Sequence, residues 1–150
     1  MVFIFLDIDG VCHPLPSHGR HFRNENMAAL ERAILGLPVQ IVITSTWRES
    51  KTLDEIKSYL GDLGQYVLDV TPVINNLIDT GIRHDEVELY WEKLGVDYVP
   101  WIAVDDMADY YRDDSPLILT DGLVGFTDED GLRLRQWIIQ YSMDDDIILE

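Results

Sequence analysis

The unbroken apolar run Val2-Phe3-Ile4-Phe5-Leu6, followed at once by Asp7-Ile8-Asp9-Gly10, limits this chain more than any other stretch. A run rich in β-branched and aromatic residues, without polar alternation, describes a strand buried on both faces, as in a parallel sheet. It stops at two carboxylates one residue apart and a glycine that lets the chain turn. Asp7 and Asp9 are therefore expected at the carboxyl end of a central strand, the edge where open α/β sheets bind ligands. At ~4 Å and an effective dielectric of ~20, two such charges repel by roughly 4 kcal/mol. A cation between them, or a proton kept by one, relieves the repulsion. Taken alone, the motif reads equally well as an Asp-Gly turn between two solvated acids.

The 150 residues suffice for one domain with a real core, expected as a body to about residue 142 and an acidic tail over 143–150. Eleven Lys and Arg against 28 Asp and Glu give a net charge of −17. That balance disfavours an obligate nucleic-acid partner or an anionic membrane, since phosphate contacts need a basic stripe. Most of these acids serve solubility. The single cysteine, Cys12, cannot form an internal disulfide, which fits a reducing compartment and a small packed thiol. The first residues lack a basic region, and the apolar run breaks at Asp7, so no signal peptide is expected. No apolar stretch approaches the ~20 residues of a membrane span. A cytoplasmic protein without a membrane partner is the expectation.

After the opening strand, Pro14, Pro16 and Gly19 forbid regular structure between Cys12 and Arg23. His13, His18, His21, Arg20 and Arg23 make this loop a local positive island. Their spacing matches no zinc pattern. The loop reads either as a cover that meets an anionic substrate or as plain surface. Asn24 to Leu35 reads as a helix with Met27, Leu30, Ile34 and Leu35 inward, stopped by Gly36 and Pro38. Val39 to Ile43 is a second buried strand, running into Thr44-Ser45-Thr46-Trp47-Arg48-Glu49. Thr46 and Glu49 have capping-box spacing, which predicts a helix from there to about Leu60. Hydroxyls at this edge suit a phosphate or carboxylate, although any helix start uses such residues.

Tyr66 to Val70 reads as a third strand, 73–82 as a turn and short helix, and His84 to Leu94 as a helix with Val87, Tyr90, Trp91 and Leu94 inward. Val99 to Val104 is a fourth strand that delivers Asp105-Asp106, and Leu117 to Leu119 a short fifth. Thr127 and Asp130 cap a last helix to about Ser142, with Leu132, Leu134, Trp137, Ile138 and Tyr141 inward. The alternation of strand and helix implies an α/β fold: a three-layer Rossmann-like parallel sheet of about five strands.

Two strands thus end in acid pairs and a third in hydroxyls. Converging oxygen ligands without His or Cys fit a hard cation, Mg²⁺ best, because it keeps waters and takes few carboxylates. Magnesium at such an edge commonly partners a phosphoryl group. A carboxylate can also attack phosphorus to give an aspartyl-phosphate.

In their order, these motifs resemble the haloacid dehalogenase-like (HAD) phosphatase superfamily. Phe5 to Val11, Thr44 to Arg48, Arg83 to Trp91 and Val104-Asp105-Asp106 are similar to the HAD domain of Swiss-army-knife RNA repair proteins, over most of the chain to about Trp137. The resemblance implies a Mg²⁺-dependent phosphohydrolase acting on a phosphorylated small molecule or macromolecular end. It implies Asp7 as nucleophile and Asp9 as general acid and then base, with the Asp9 carbonyl also on the metal. Ser45 is implied as the phosphoryl contact, its place two residues before Trp47 favouring it over Thr44. Asp105 is implied as a direct metal ligand, with Asp106 beside or behind it; Gly10, Thr44 and Arg48 are further substrate contacts.

The family pattern also asks for a lysine, and here the chain departs. Its lysines are Lys51, Lys57 and Lys93, and Lys93 falls ten residues past Arg83. That is on the order of 15 Å along a helix, at the wrong end. Arg83 takes the role, with a permanent charge and a forked donor set. Between the motifs only one loop, one helix and sheet-type elements fit, so no separate cap domain is expected. An RNA substrate follows from the resemblance alone and is opposed by the charge.

Two other readings compete with a phosphatase. One is a catalytically weak HAD fold that holds phosphate or metal without turnover, suggested by the missing lysine. The other is a receiver-type signalling domain with its acceptor on the third strand, at Asp69.

Overall fold

Burial on both faces of β1 (Val2–Leu6) sets the architecture: Val2, Ile4 and Leu6 are buried on one face and Phe5 on the other. The computed structural model describes residues 1–16, 22–74, 80–96 and 99–149, with side chains as far as Ser142. Along the chain follow α1 (Asn24–Ile34), β2 (Val39–Ile43), α2 (Leu53–Tyr59), β3 (Val67–Val70), α3 (Ile82–Leu94), β4 (Trp101–Asp105), β5 (Leu117–Leu119) and α4 (Asp128–Leu149). The strands form one wholly parallel sheet in the order β3-β2-β1-β4-β5, so the expected Rossmann-like α/β fold is present, with β1 at its centre.

The two faces of the sheet carry different cores. Ile4, Leu6, Ile41, Ile43, Ile102 and Val104 pack with Leu30 and Ile34 of α1, Ile56 of α2, and Leu134 and Ile138 of α4. On the opposite face Phe5, Val42 and Ala103 meet Val87 and Tyr90 of α3, joined by Tyr111. There the ring of Phe5 lies edge-on to Tyr90, Trp91 and Trp101 at centroid distances of 5.8, 5.6 and 5.6 Å. Such edge-to-face contacts contribute about 0.5–1.5 kcal/mol each beyond area burial.

Helix α1 meets α4 through small residues. A Cβ placed on Gly131 would lie 3.3 Å from that of Ala33, so the backbones approach closely. This explains one departure from the expected stripe: Ala29 and Ala33 are buried, whereas Leu35 is 68 % exposed because it lies past the last helical turn, with extended backbone. Leu132 and Leu94 also turn outward, 59 % and 49 % exposed. Leu94 lies in the last turn of the 13-residue α3, at the end that Gly95 closes.

The segment after β2 corrects another expectation. Thr46–Glu49 forms only a 3-10 turn, capped by Ser45, and α2 starts at Leu53. The chain holds two Thr-x-x-Glu patterns, and the second one closes the reciprocal box. Thr52 Oγ1 accepts from Glu55 N at 3.1 Å, and Glu55 Oε1 accepts from Thr52 N at 2.9 Å. A second 3-10 turn, Gly61–Tyr66, delays β3 to Val67. At the other end the backbone of α4 continues through Leu149. The turn expected after Val73 and the residues His18, Arg20 and His21 lie outside the described residues, wholly or in large part. Among the described residues no cap domain is inserted, and no helix is long and apolar enough to cross a membrane.

The close approach of α1 and α4 makes a direct prediction. Ala33→Leu should overpack this contact and lower unfolding free energy by about 1–3 kcal/mol, read from the urea midpoint at constant m-value. An unchanged midpoint would show that the helices do not meet there.

Candidate active site

Parallel pairing places one residue from each of four strands in a row at the carboxyl edge. Leu6 pairs with Ile43 and Val104, and Ile43 with Val70. The next position on each strand is Asp7, Thr44, Asp105 and Thr71. The row is stitched by backbone bonds: Asp7 N to Val104 O, Thr44 N to Leu6 O and Thr71 N to Ile43 O, each 3.0 Å. By strand alternation Asp7, Thr44 and Asp105 project to the face of Phe5, Val42 and Ala103, which α3 covers. The first turns of α3 therefore bring Arg83 and Glu86 to the same acids.

Beyond β1 the chain folds back tightly. Val11 N and Cys12 N both donate to Ile8 O, and Gly10 N donates to His13 O at 2.9 Å. Gly10 adopts φ +81°, where a side chain is strained, and a Cβ there would run into Asp106 Oδ2. A Cβ on Gly122 would stand 2.6 Å from the same oxygen. Two glycines thus make room for the Asp106 carboxylate. Gly10 serves by the absence of a side chain.

Carboxylate oxygens of Asp7, Asp105 and Asp106 lie within 4.8 Å of one another. Asp105 is fully buried; its Oδ1 accepts from Met107 N at 3.0 Å, and its Oδ2 has no hydrogen-bond partner among the described residues. An orphaned buried carboxylate oxygen within a cluster of hard donors is the environment a divalent cation completes. Burial pushes Asp7 up to about 7, helped by neighbouring Asp106 and Asp9 and opposed by the Ile8 amide and Arg83. Asp105 is pushed up to about 9, again mainly by burial and then by Asp7.

Asp9 stands outside this cluster. Its Oδ1 receives the Trp47 indole N–H at 3.2 Å and lies 2.7 Å from His13 Nε2. Ser45 is fully buried, its Oγ accepting from Trp47 N at 3.2 Å. Thr44 is buried in the row beside the Tyr111 hydroxyl, whose acidity burial suppresses first and Asp105 and Asp7 further. Cys12 is the packed thiol expected, held well above its ordinary range by burial.

The two arginines differ. Arg48 has a side chain only 1 % exposed. Its Nη1 donates to the carbonyls of Thr44 and Ser45 at 2.6 and 2.8 Å, its Nε to Thr71 O at 3.0 Å and its Nη2 to Glu86 Oε2 at 2.7 Å. It holds the Thr44–Ser45 loop from beneath and offers no open donor face to a substrate. Arg83 donates from Nη1 to Glu86 Oε1 at 2.8 Å, stacks its guanidinium 5.1 Å from the Tyr110 centroid, and keeps a buried Nε that has no hydrogen-bond partner among the described residues. Burial works against its charge, but Glu86, Asp7 and Asp105 outweigh that and raise its pKa.

Glu86, fully buried between both arginines, is a residue that sequence reasoning missed. Its i,i+3 spacing from Arg83 at a helix start was the available signal. Trp47 and His13 also acquire roles that only the fold reveals. Asp69 pairs with Val42, two residues short of the row. Its Oδ1 takes the Val70 amide at 2.8 Å, and it faces Tyr90, so the acceptor of a receiver-type site is not assembled there. A cavity of about 750 Å³ between the starts of α1 and α4 includes none of the clustered acids.

Compared with known families, residues 3–131 match the model of the HAD domain in Swiss Army Knife RNA repair proteins. The chain belongs to that family. Searches of curated proteins and of solved structures gave no significant match. The position of this HAD domain's acids at the carboxyl edge of the sheet follows the parallel register described above.

Because Asp7 and Asp105 have folded-state pKa values raised above the ordinary 3.8, each favours folding most when protonated. That contribution is complete below the ordinary value and is lost as pH rises through about 7 and about 9. In chelator the melting temperature should fall across this interval. Asp105→Asn, and separately saturating Mg²⁺, should flatten the fall. A wild-type curve that rises over the interval would contradict the arrangement.

Proposed function

We propose that this HAD domain is a Mg²⁺-dependent phosphomonoester hydrolase acting through an aspartyl-phosphate on Asp7. The observation that carries the reading is Asp7 standing among Asp105, Asp106 and Arg83 at the open edge of the sheet. The Asp7, Asp105 and Asp106 carboxylates and the Asp9 carbonyl would hold the metal. When bound, Mg²⁺ neutralises the carboxylates and the phosphoryl oxygens.

In the first step an Asp7 oxygen bonds to phosphorus as the bond to the leaving oxygen breaks, and Asp9 gives that oxygen a proton. In the second, water attacks phosphorus and yields its proton to Asp9, while the bond from Asp7 to phosphorus breaks. The net change is phosphomonoester plus water to alcohol plus phosphate. Ser45 and the Arg83 guanidinium orient phosphoryl oxygens, and Thr44 with Tyr111 lines the buried side. Phosphoryl transfer depends chiefly on positioning and charge compensation, which these groups supply.

The substrate is a phosphorylated small molecule or macromolecular end. A net charge of −17 weighs against an extended nucleic acid, although the family description names RNA repair. A single cytoplasmic domain without a membrane partner fits the same reading. The alternative, a phosphate- or metal-binding module without turnover, is favoured by one observation. Lys51 sits over the Trp47 and Tyr59 rings, Lys93 lies in the last turn of α3, and the charge beside Asp7 comes from an arginine shared with Glu86.

Hydrolysis of p-nitrophenyl phosphate with and without Mg²⁺ separates the two. Wild type should turn over with Mg²⁺ alone, Asp7→Asn should abolish turnover, and Asp9→Asn should lower kcat about 10²- to 10⁴-fold by removing the base of the second step. Wild-type inactivity, or an undiminished Asp7→Asn, would favour the binding module. Arg83→Lys should retain more activity than Arg83→Ala, which removes the positive charge altogether.

A further inference from the structure

Asp9 stands at the mouth but apart from the cluster, and its surroundings are built differently. Both contacts to its carboxylate fall on the same oxygen, Oδ1: the Trp47 indole N–H at 3.2 Å and His13 Nε2 at 2.7 Å. Among the described residues none falls on Oδ2. The partners come from separate parts of the chain, His13 from the turn after β1 and Trp47 from the 3-10 turn after β2. Two supports that converge from different elements fix a carboxylate plane better than one.

Each support is itself held. His13 is 4 % exposed, and its Nδ1 donates to Pro14 O at 2.9 Å, since a carbonyl only accepts; Nε2 donates to Asp9 Oδ1 in the imidazolium form, in which both ring nitrogens carry protons. Phe22 stacks beside the His13 ring at 6.1 Å and packs against Trp47 at 5.2 Å. The edge of Tyr59 closes on Trp47 at 5.3 Å, and Lys51 Nζ lies 5.6 Å from the Trp47 centroid. These aromatic faces are occupied by one another, so the cluster works as a buttress rather than as a stacking platform for a ligand. At its tip is a carboxylate 39 % exposed, which without it would sample several rotamers in water.

We infer that His13 and Trp47 are positioning residues that pin Oδ1 of Asp9 so that Oδ2 faces the leaving oxygen. This rests on the proposed role of Asp9 as the group that protonates that oxygen. As the bond from phosphorus to the leaving oxygen breaks, the proton on Oδ2 passes to that oxygen, and the electron pair of the O–H bond stays on Asp9. Misplacing a reacting group by about 1 Å costs on the order of a hundredfold. The clamp therefore matters most where the leaving group needs a proton.

Leaving-group dependence tests this. Alkyl phosphates expel a basic alkoxide that needs protonation, whereas p-nitrophenolate leaves nearly unaided. His13→Phe keeps a ring against Phe22, and Trp47→Phe removes the indole N–H. Each should lower kcat/KM at least about tenfold on an alkyl phosphate, but less than about threefold on p-nitrophenyl phosphate. His13→Gln, which restores a side-chain N–H donor, should recover part of the alkyl-phosphate loss. A second readout needs no turnover: in ¹H–¹⁵N spectra Asp9→Asn should move the Trp47 indole resonance while the other three of the four tryptophans stay in place.

Equal losses on both substrates, no loss on either, or an unmoved Trp47 indole resonance would each overturn the inference and leave the phosphatase reading intact. Wild type inactive on both substrates would remove that reading and this one together. Should His13→Phe fail to fold, Trp47→Phe and the indole resonance decide the matter.

Discussion

Three carboxylates crowded at the buried mouth of a parallel sheet are the constraint on which the rest of this structure turns. Oxygens of Asp7, Asp105 and Asp106 within 4.8 Å of one another cannot all be charged in isolation. At an effective dielectric of ~20, each ionised pair near that spacing costs roughly 3–4 kcal/mol. The fold answers with partial protonation, visible in the raised Asp7 and Asp105, and with Arg83. Arg83 also serves Glu86, so a deficit of positive charge remains, of the kind the proposed divalent ion would make good.

Around this mouth the protein spends buried polar groups on rigidity. Arg48, Glu86 and Arg83 form a chain of ion pairs at 2.7 and 2.8 Å, with Glu86 fully buried. Removing one member of such a buried set typically costs 3–5 kcal/mol, because a partner charge is left uncompensated. The same set ties the Thr44–Ser45 carbonyls to the amino end of α3, so the hydroxyl loop and Arg83 are joined through Arg48 and Glu86. On the other side, His13, Phe22, Trp47 and Tyr59 form a second support, made of rings, that reaches Asp9. One support is ionic and the other aromatic, and each reaches a different carboxylate.

The surface obeys a related economy of charge. Arg32 pairs with Asp128, Arg112 with Asp85 and Glu88, and Arg133 with Asp130. Arg135 donates to the carbonyl of Leu35 at the end of α1. These arginines are answered by neighbours and compose no basic stripe among the described residues. The field around such a surface is negative and disfavours an extended polyanion.

The sheet was legible in the sequence because strands buried on both faces leave continuous apolar runs, and β1, β2 and β5 were located to the residue. That Asp7, Thr44 and Asp105 reach one edge was legible because parallel strands carry their ends to a common side by topology alone. Helix faces were less so: Leu35 lies past the end of α1, Leu94 sits in the last turn of α3, and Leu132 falls on the face of α4 opposite buried Leu134. Of two capping-box patterns, Thr46–Glu49 lost to Thr52–Glu55, because the stretch after β2 first had to wrap Arg48. What the sequence determined by itself was local and periodic: which segments bury, and which edge collects the acids. Only the tertiary structure decided that Arg48 faces inward, that Glu86 joins two arginines, and that Trp47 meets Asp9 across 38 positions. Those pairings depend on how far apart strands and helices come to rest, a distance that no pattern along one segment encodes.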